Sequence, residues 1–265
     1  MKNLSFPERL WWYTGAIMLA LAVPMVLAHM MDVREVNDIN IWTKPIKFSL
    51  SIALHLFTLA FLLRYLPKDY RAARLFGFLA ALVSIAALYE IAWLIGQSMR
   101  GVPSHFNFAS ALDINLYRIA GIGAVTLIIP ALFMGLKFMA LPSTPELGSG
   151  FRRGAGLGLL LTFILTLIFA GYLSSGQGHW VGASPSDADG MAITGWARDG
   201  GDLRVAHFFA THLMQLLPFI GFLSDRIFAN NPARAKLAVW LVAIIGTGVV
   251  ILTFLQALSG KAFLA

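Results

Sequence analysis

Seven stretches of this chain are long and apolar enough to cross a bilayer, and every other feature of the sequence has to be compatible with them. A hydrocarbon core about 30 Å thick is spanned by about 20 consecutive, mostly apolar residues in a helix. Such windows run approximately over residues 10–31, 45–66, 75–99, 116–139, 154–175, 203–228 and 235–258. Lipid offers no partner to a backbone N–H or C=O, so each window is expected to be helical along its length. The expected fold class is all-α, a polytopic membrane protein with residues 1–265 forming a single seven-helix transmembrane domain. Composition agrees, since 58% of the residues are hydrophobic and only 12% charged, far from soluble usage.

Orientation follows from the Lys and Arg residues of the short connections. Lys68, Arg71 and Arg74, with Arg64 just inside the second span, separate spans 2 and 3. Lys137, Arg152 and Arg153 flank the connection from span 4 to span 5, and Arg226, Arg234 and Lys236 the one from span 6 to span 7. These connections lie on one side of a seven-span topology, together with Lys2 and Arg9, so that side is expected to be cytoplasmic. The N-terminus is then inside and the C-terminus outside. The opposite connections carry Asp32, Glu35, Asp38, Asp113, Asp187, Asp189, Asp199 and Asp202. Residues 31–44, 101–113, 141–150 and 176–202 are rich in Gly, Pro, Ser, Asp or Asn and read as loops. The last is long for an irregular connection, a length found in lids and in plain solvated connectors alike. No small-residue cleavage site follows the N-terminal MKNLSFPERL, so the first span is expected to be retained.

Several function classes drop out. The net charge of +7 is scattered between apolar runs and forms no basic cluster with interleaved aromatics, so no nucleic-acid partner is expected. Zero cysteines removes disulfides, thiolate metal sites and cysteine nucleophiles. No Gly-rich phosphate loop is present, which argues against an energy-coupled ATPase. No internal repeat is visible either, unlike the inverted-repeat plan of many secondary transporters.

Ionisable residues inside spans cost about 2.5 to 3.5 kcal/mol each on insertion scales, so they mark the first place to look for chemistry. The second span offers Lys44, Lys47, Ser51 and His55, with 44, 51 and 55 on one helical face. The third offers Glu90, Trp93 and Gln97 on one face, and the sixth Arg204, His207, Thr211 and Gln215 on one stripe, with His212 turned away from His207 by about 140°. At about 1.5 Å per residue, His55, Glu90 and His212 all lie about 14 to 16 Å below the outer surface, near the midplane. Two histidines and a carboxylate at one level suit a divalent metal, a buried proton or, through two histidines, a haem iron. His29, Lys47, Gln97, Arg204 and His207 form a shallower layer with His105 and His179 above, and suit a polar or anionic ligand.

Plainer readings stand beside these. A lone histidine in a span is often a polar clasp to a neighbouring helix, worth about 0.6 kcal/mol. His29 reads as interfacial, and the scattered methionines as core filling rather than a copper site. Trp11, Trp12, Tyr13, Trp42, Trp180 and Trp196 read as belt or loop anchors. Gly121, Gly135, Gly156 and Gly158 read as close-packing positions, and Pro24, Pro130 and Pro218 as kinks that free a backbone carbonyl.

Four strings resemble a family of uncharacterised bacterial integral membrane proteins. They are Trp-Thr-Lys-Pro-Ile-Lys-Phe at 42–48; Gln97 with Arg-Gly-Val-Pro-Ser-His-Phe-Asn at 100–107 and Asp113; Gly178-His179 with Val181-Gly182; and Gly-Asp-Leu-Arg-Val-Ala-His at 201–207 running on to His212, Gln215 and Pro218. The resemblance implies a multi-pass protein of the bacterial cytoplasmic (inner) membrane and a shared site at the outer end, but brings no established activity. Two shorter likenesses lack the rest of their patterns. Val205-Ala-His-Phe is similar to a helix of haem-copper oxidases without the remaining ligands. Ser51-Ile-Ala-Leu-His55 resembles the Ser-x-x-x-His of seven-helix ceramidase and adiponectin-receptor-like hydrolases, but the seventh span has no histidine. Nor has that span a central lysine to carry retinal.

The expectation is therefore an outward-facing site that binds a divalent metal (Zn, Fe or Cu) or haem b, for redox or metal-assisted chemistry on a small or lipid-soluble substrate. Glu90, Asp202 and Arg204 are the candidate reacting or positioning groups, and His207, His212, His55, His105 and His179 the candidate ligands. Lys44, Lys47, Gln97, Arg100, Asn107, Asp113 and Gln215 are the candidate substrate-binding residues. The alternative is a small-solute or proton-coupled transporter or sensor using the same polar chamber, and a third reading is a scaffold whose outer cap grips a partner.

Overall fold

A computed structural model describes residues 4–144 and 147–264. Lys2, Pro145 and Glu146 lie outside the described residues. In chain order the elements are α1 (Phe6–Met31), β1 (Glu35–Val36), β2 (Ile39–Asn40), α2 (Thr43–Leu63), α3 (Lys68–Arg71), α4 (Arg74–Arg100), α5 (Ala111–Ala140), α6 (Ser149–Ser175), β3 (Trp180–Val181), β4 (Gly201–Asp202), α7 (Arg204–Ile227) and α8 (Pro232–Leu258). Seven of the helices, all except the four-residue α3, are long and apolar enough to cross a membrane. The expected all-α polytopic class is therefore correct. Two helices begin about five residues before their apolar windows, at Ala111 and at Ser149, so Arg152 and Arg153 are the fourth and fifth residues of α6 rather than part of a loop.

The described residues group into two compact units, Met1–Pro130 with Ser186–Ala188, and Ala131–Pro185 with Asp189–Ala265. In the first, α1 packs along α2 and α4, and the helix ends are fixed by polar side chains. Glu8, with no exposed surface, accepts from the Ser5 N–H at 2.7 Å and from the Ser5 hydroxyl, closing a capping box at the start of α1. The same carboxylate takes Arg71 Nη1 at 3.0 and 3.1 Å, which seats α3 against the end of α1. Trp11, expected in an interfacial belt, is fully buried instead. At the other end of this unit, Asn37 and Asp38 both have positive φ, 55° and 61°. That is the conformation of a two-residue hairpin turn, and it joins β1 to β2. Asp32 receives Arg34 and the Trp42 indole N–H, and these two donors hold its carboxyl well below the usual carboxylate range. Ser98 Oγ reaches the Ile41 carbonyl at 2.8 Å, tying the hairpin to α4.

The second unit is organised by α6 against α7, with α8 along both. Its close approach depends on glycines. A Cβ on Gly154 would lie 2.2 Å from the Leu217 carbonyl oxygen, one on Gly158 2.7 Å from the Leu213 carbonyl, and one on Gly221 2.3 Å from the Gly150 carbonyl. Backbones meet here as in small-residue membrane crossings. Asp225, from α7, accepts from the Gly150 and Phe151 N–H groups at 2.7 Å each and so caps the positive end of α6. That cap explains why α6 starts before its apolar window. Arg152 Nη1 donates to the Phe138 and Met139 carbonyls, which the end of α5 would otherwise leave unpaired. Of the four glycines expected at close contacts, Gly135, Gly156 and Gly158 are there, whereas Gly121 has nothing within 4 Å.

The contrast supplies a test. Gly154→Ala forces a methyl against backbone and is expected to destabilise the protein by about 1–3 kcal/mol, while Gly121→Ala is neutral or gains up to about 1 kcal/mol from helix propensity. Denaturant titration of both variants in detergent, followed by circular dichroism, reads the difference; equal midpoints would contradict the α6–α7 packing.

Candidate functional site

Glu90, Trp93 and Gln97 recur at helical spacing on α4, and all three are buried, as their common face implied. What surrounds them comes from three other segments of the first unit. The Gly101 N–H bonds to Ser98 O and the Val102 N–H to Gln97 O, with Gly101 at φ 68°. This pair of bonds is a Schellman termination. It turns the chain back at the end of α4 and delivers His105 to Glu90. The His105 ring centroid lies 4.9 Å from that of Trp93, 5.4 Å from Phe48 of α2 and 5.5 Å from Tyr117 of α5. His105 Nε2 is 3.8 Å from Glu90 Oε1, within ion-pair range but longer than a hydrogen bond. Lys44 and Tyr117 are within electrostatic range of the same carboxylate, and the Lys44 ammonium stands 5.9 Å from the Phe48 ring centroid. An imidazole enclosed by three rings with a carboxylate at its edge is a set of groups that can hold or exchange a positive charge.

Beside this box, Asp113 at the start of α5 is buried and fully engaged. Gln97 Nε2 donates to its Oδ1 at 3.0 Å, Arg100 Nη1 to the same oxygen at 2.8 Å and Ser110 Oγ to Oδ2 at 2.5 Å. Arg100 also reaches Gln97 Oε1. Asn107 Nδ2 donates to the Pro103 carbonyl, and its Oδ1 accepts from the Ala109 N–H. Gln97, Arg100, Asn107 and Asp113, the candidate substrate-binding residues, bond one another and the backbone of loop 101–110. Lys44 and Lys47 lie one turn apart on α2, both half-buried. His55 Nε2 lies 2.9 Å from the Leu127 carbonyl oxygen on α5, three residues before Pro130, where the proline ring interrupts the helical ladder. This is the polar-clasp arrangement.

In the second unit, Asp202 and Arg204 form a closed pair. The buried Asp202 carboxylate accepts from the Arg204 N–H at 2.9 Å, from the guanidinium at 2.7–3.1 Å and from the Ala197 N–H at 3.0 Å. Arg204 Nη2 also bonds the Gly195 carbonyl. These bonds fasten loop 176–202 to the start of α7, helped by the β3–β4 pairing of Trp180 with Asp202. His179 is buried with its ring 3.8 Å from the Trp180 ring, and its carbonyl accepts from the Leu203 N–H. On α7, His212 Nδ1 lies 3.3 Å from Gln215 Oε1, and its ring is 4.3 Å from Phe208. His207 Nδ1 is buried and has no hydrogen-bond partner among the described residues. An open cleft of about 790 Å³ is lined by residues including Tyr172, Gln177, Trp180 and Leu203.

Within the first unit Glu90 is partnered by His105, and within the second His207 and His212 lie five residues apart on α7. Among the described residues no three His, Asp or Glu side chains come together in a metal-holding group. Phe48 and Tyr117 were not singled out from the sequence. Their signal was available, since Phe48 closes the Trp-Thr-Lys-Pro-Ile-Lys-Phe string and Tyr117 is the second residue of the 116–139 window.

Asp202→Ala removes the carboxylate that accepts from the Arg204 guanidinium and from the Arg204 and Ala197 N–H groups, at a cost of about 1–3 kcal/mol. Loop 176–202 should then open more often, and tryptic cleavage after the exposed Arg198 should accelerate roughly tenfold, since about 1.4 kcal/mol is a factor of ten. An unchanged cleavage rate would show that the pair does not hold the loop. Comparison with known proteins adds no assignment: no protein-family model, no curated protein and no solved structure matches this chain, so its function has to be read from this geometry.

Proposed function

We propose that this chain is a proton-responsive transporter or sensor of the bacterial cytoplasmic membrane, working through Glu90 and His105. The observation that carries this reading is a buried carboxylate in a membrane-crossing helix whose ion-pair partner is a histidine on a loop. An intramembrane carboxylate is costly unless its charge is balanced, and histidine is the side chain that gains and loses charge near neutral pH. Protonating His105 creates the balancing charge; deprotonating it removes the charge and leaves Glu90 to Lys44 or to a solute. The charge distribution of the connections supports an orientation with the N-terminus cytoplasmic and this end outside. The four family-like strings also fall at this end of their spans.

Trp93 reports on the pair, because an imidazolium against an indole quenches its emission. The part of the tryptophan fluorescence lost in Trp93→Phe should rise with pH through one transition in the wild type. The transition should disappear in His105→Gln and move to lower pH in Glu90→Gln, where the imidazolium has lost its counter-charge. Identical curves for the wild type and Glu90→Gln would overturn the reading.

A second reading rests on the buried His207 Nδ1, which has no hydrogen-bond partner among the described residues. An imidazole nitrogen without a donor or acceptor in a membrane-crossing helix is suited to ligate a divalent metal or a haem iron, and such a group would supply redox or Lewis-acid chemistry at α7. Elemental analysis and an absorption spectrum of the purified protein test it. About one equivalent of metal, or a haem band, is expected and should be lost in His207→Ala; a metal content unaffected by that change would exclude His207 as a ligand.

A further inference from the structure

The box around His105 has a chemistry independent of the histidine that fills it. A carboxylate with three aromatic rings is the recognition set for an organic cation, through ion pairing and the negative faces of the rings. Its present occupant is a nitrogen heterocycle, held with ring centroids 4.9–5.5 Å from Trp93, Phe48 and Tyr117. That occupant comes from a connection rather than from a membrane-crossing helix. We propose that Glu90, Phe48, Trp93 and Tyr117 form a binding site for a small organic cation, and that His105 occupies it from loop 101–110 until such a ligand displaces it. The proposal deepens the reading of Glu90 and His105 as a functional pair and rests on it.

Three further features fit displacement. Segment 103–109 is braced within itself by Asn107 to the Pro103 carbonyl, the Ala109 N–H to Asn107, and Ser104 Oγ 3.2 Å from His105 Nδ1. Gln97 Nε2 on α4 also reaches the Pro103 carbonyl, at a long 3.4 Å, so lifting the segment between Gly101 and the Asp113 frame has to break that weak bond. Phe106 holds a left-handed backbone, φ 56°, which is unfavourable for a residue with a bulky side chain. Displacement would allow Phe106 to leave that conformation. Trp93 Nε1 is buried with no acceptor among the described residues, so the box is incompletely satisfied with His105 in place.

The charged and titratable groups that face Glu90 limit what fits. They are His105 from the loop, Lys44 from α2, Tyr117 from α5 and the adjacent Tyr89 on α4. Lys44 already places one fixed positive charge near the carboxylate. A ligand with a single positive charge is accommodated; a second positive charge meets repulsion from Lys44. The class is a small monocation such as an alkylammonium or an imidazolium, and polyamines are disfavoured.

The experiment uses methylammonium and imidazolium as probes on the full chain in nanodiscs, with acetate as control. In the wild type the probe competes with the loop; in His105→Ala it does not. Binding followed by tryptophan emission should therefore tighten by about tenfold or more in His105→Ala, and weaken by a similar factor when Glu90→Gln is added. The chain has no cysteine, so Ser104→Cys gives a single label site at a position that is buried with the loop down. Saturating methylammonium should accelerate maleimide labelling of that variant about tenfold, a readout that keeps His105 intact. Binding that is no tighter in His105→Ala and labelling that ignores the probe would overturn the proposal. If amines fail to bind while the pH transition of Trp93 persists, the cation site is wrong and the proton pair stands; if amines bind while that transition is indifferent to Glu90→Gln, the reverse holds.

Discussion

Hydrocarbon gives a polar atom nothing to bond with, and in this chain several charged side chains near helix ends are consumed by satisfying other polar groups. Glu8 takes Ser5 and Arg71, Asp225 takes the first amides of α6, Arg152 takes the last carbonyls of α5, and Asp113 and Asp202 each take an arginine and further donors. These are structural closures. They set where helices begin and end, more than the apolar windows do, and they let α5 and α6 run past the stretch that lipid alone would select.

Glu90 stands out against that pattern. Its contact with His105 is longer than a hydrogen bond, and its surroundings are aromatic faces rather than amide donors. A carboxylate wired like Asp113 has its charge fixed by its neighbours. One that depends on a single loop histidine and the field of Lys44 can change state when either partner moves or titrates. The proposed function rests on this difference between a closed pair such as Asp202–Arg204 and an open one such as Glu90–His105.

The seven crossings were legible because their signal is local and long: an unbroken apolar run leaves a helix as the only way to satisfy the backbone. The common face of Glu90, Trp93 and Gln97 was legible for the same reason, being a property of one helix. Partnership between helices was not. Depth arithmetic puts Glu90, His55 and His212 at one level but carries no information about which helices are neighbours; the approach of α6 to α7 depends on Gly154, Gly158 and Gly221 rather than on any ionisable residue. Sequence weights all helical glycines alike, so Gly121, where a Cβ would meet nothing within 4 Å among the described residues, could not be told from Gly158. Loop residues suffered most. His105 was placed above the layer it belongs to, since nothing in its own string shows that a Schellman turn at Gly101 folds the chain back onto α4.

The glycine contact between α6 and α7 carries a mechanical consequence. With Gly150 and Gly221 backbones touching and Asp225 clasping the first amides of α6, one helix cannot translate along the other without driving peptide groups through each other. The two therefore behave as a single stiff rod, and any rearrangement that reaches His207 must tilt or rotate that rod as a whole.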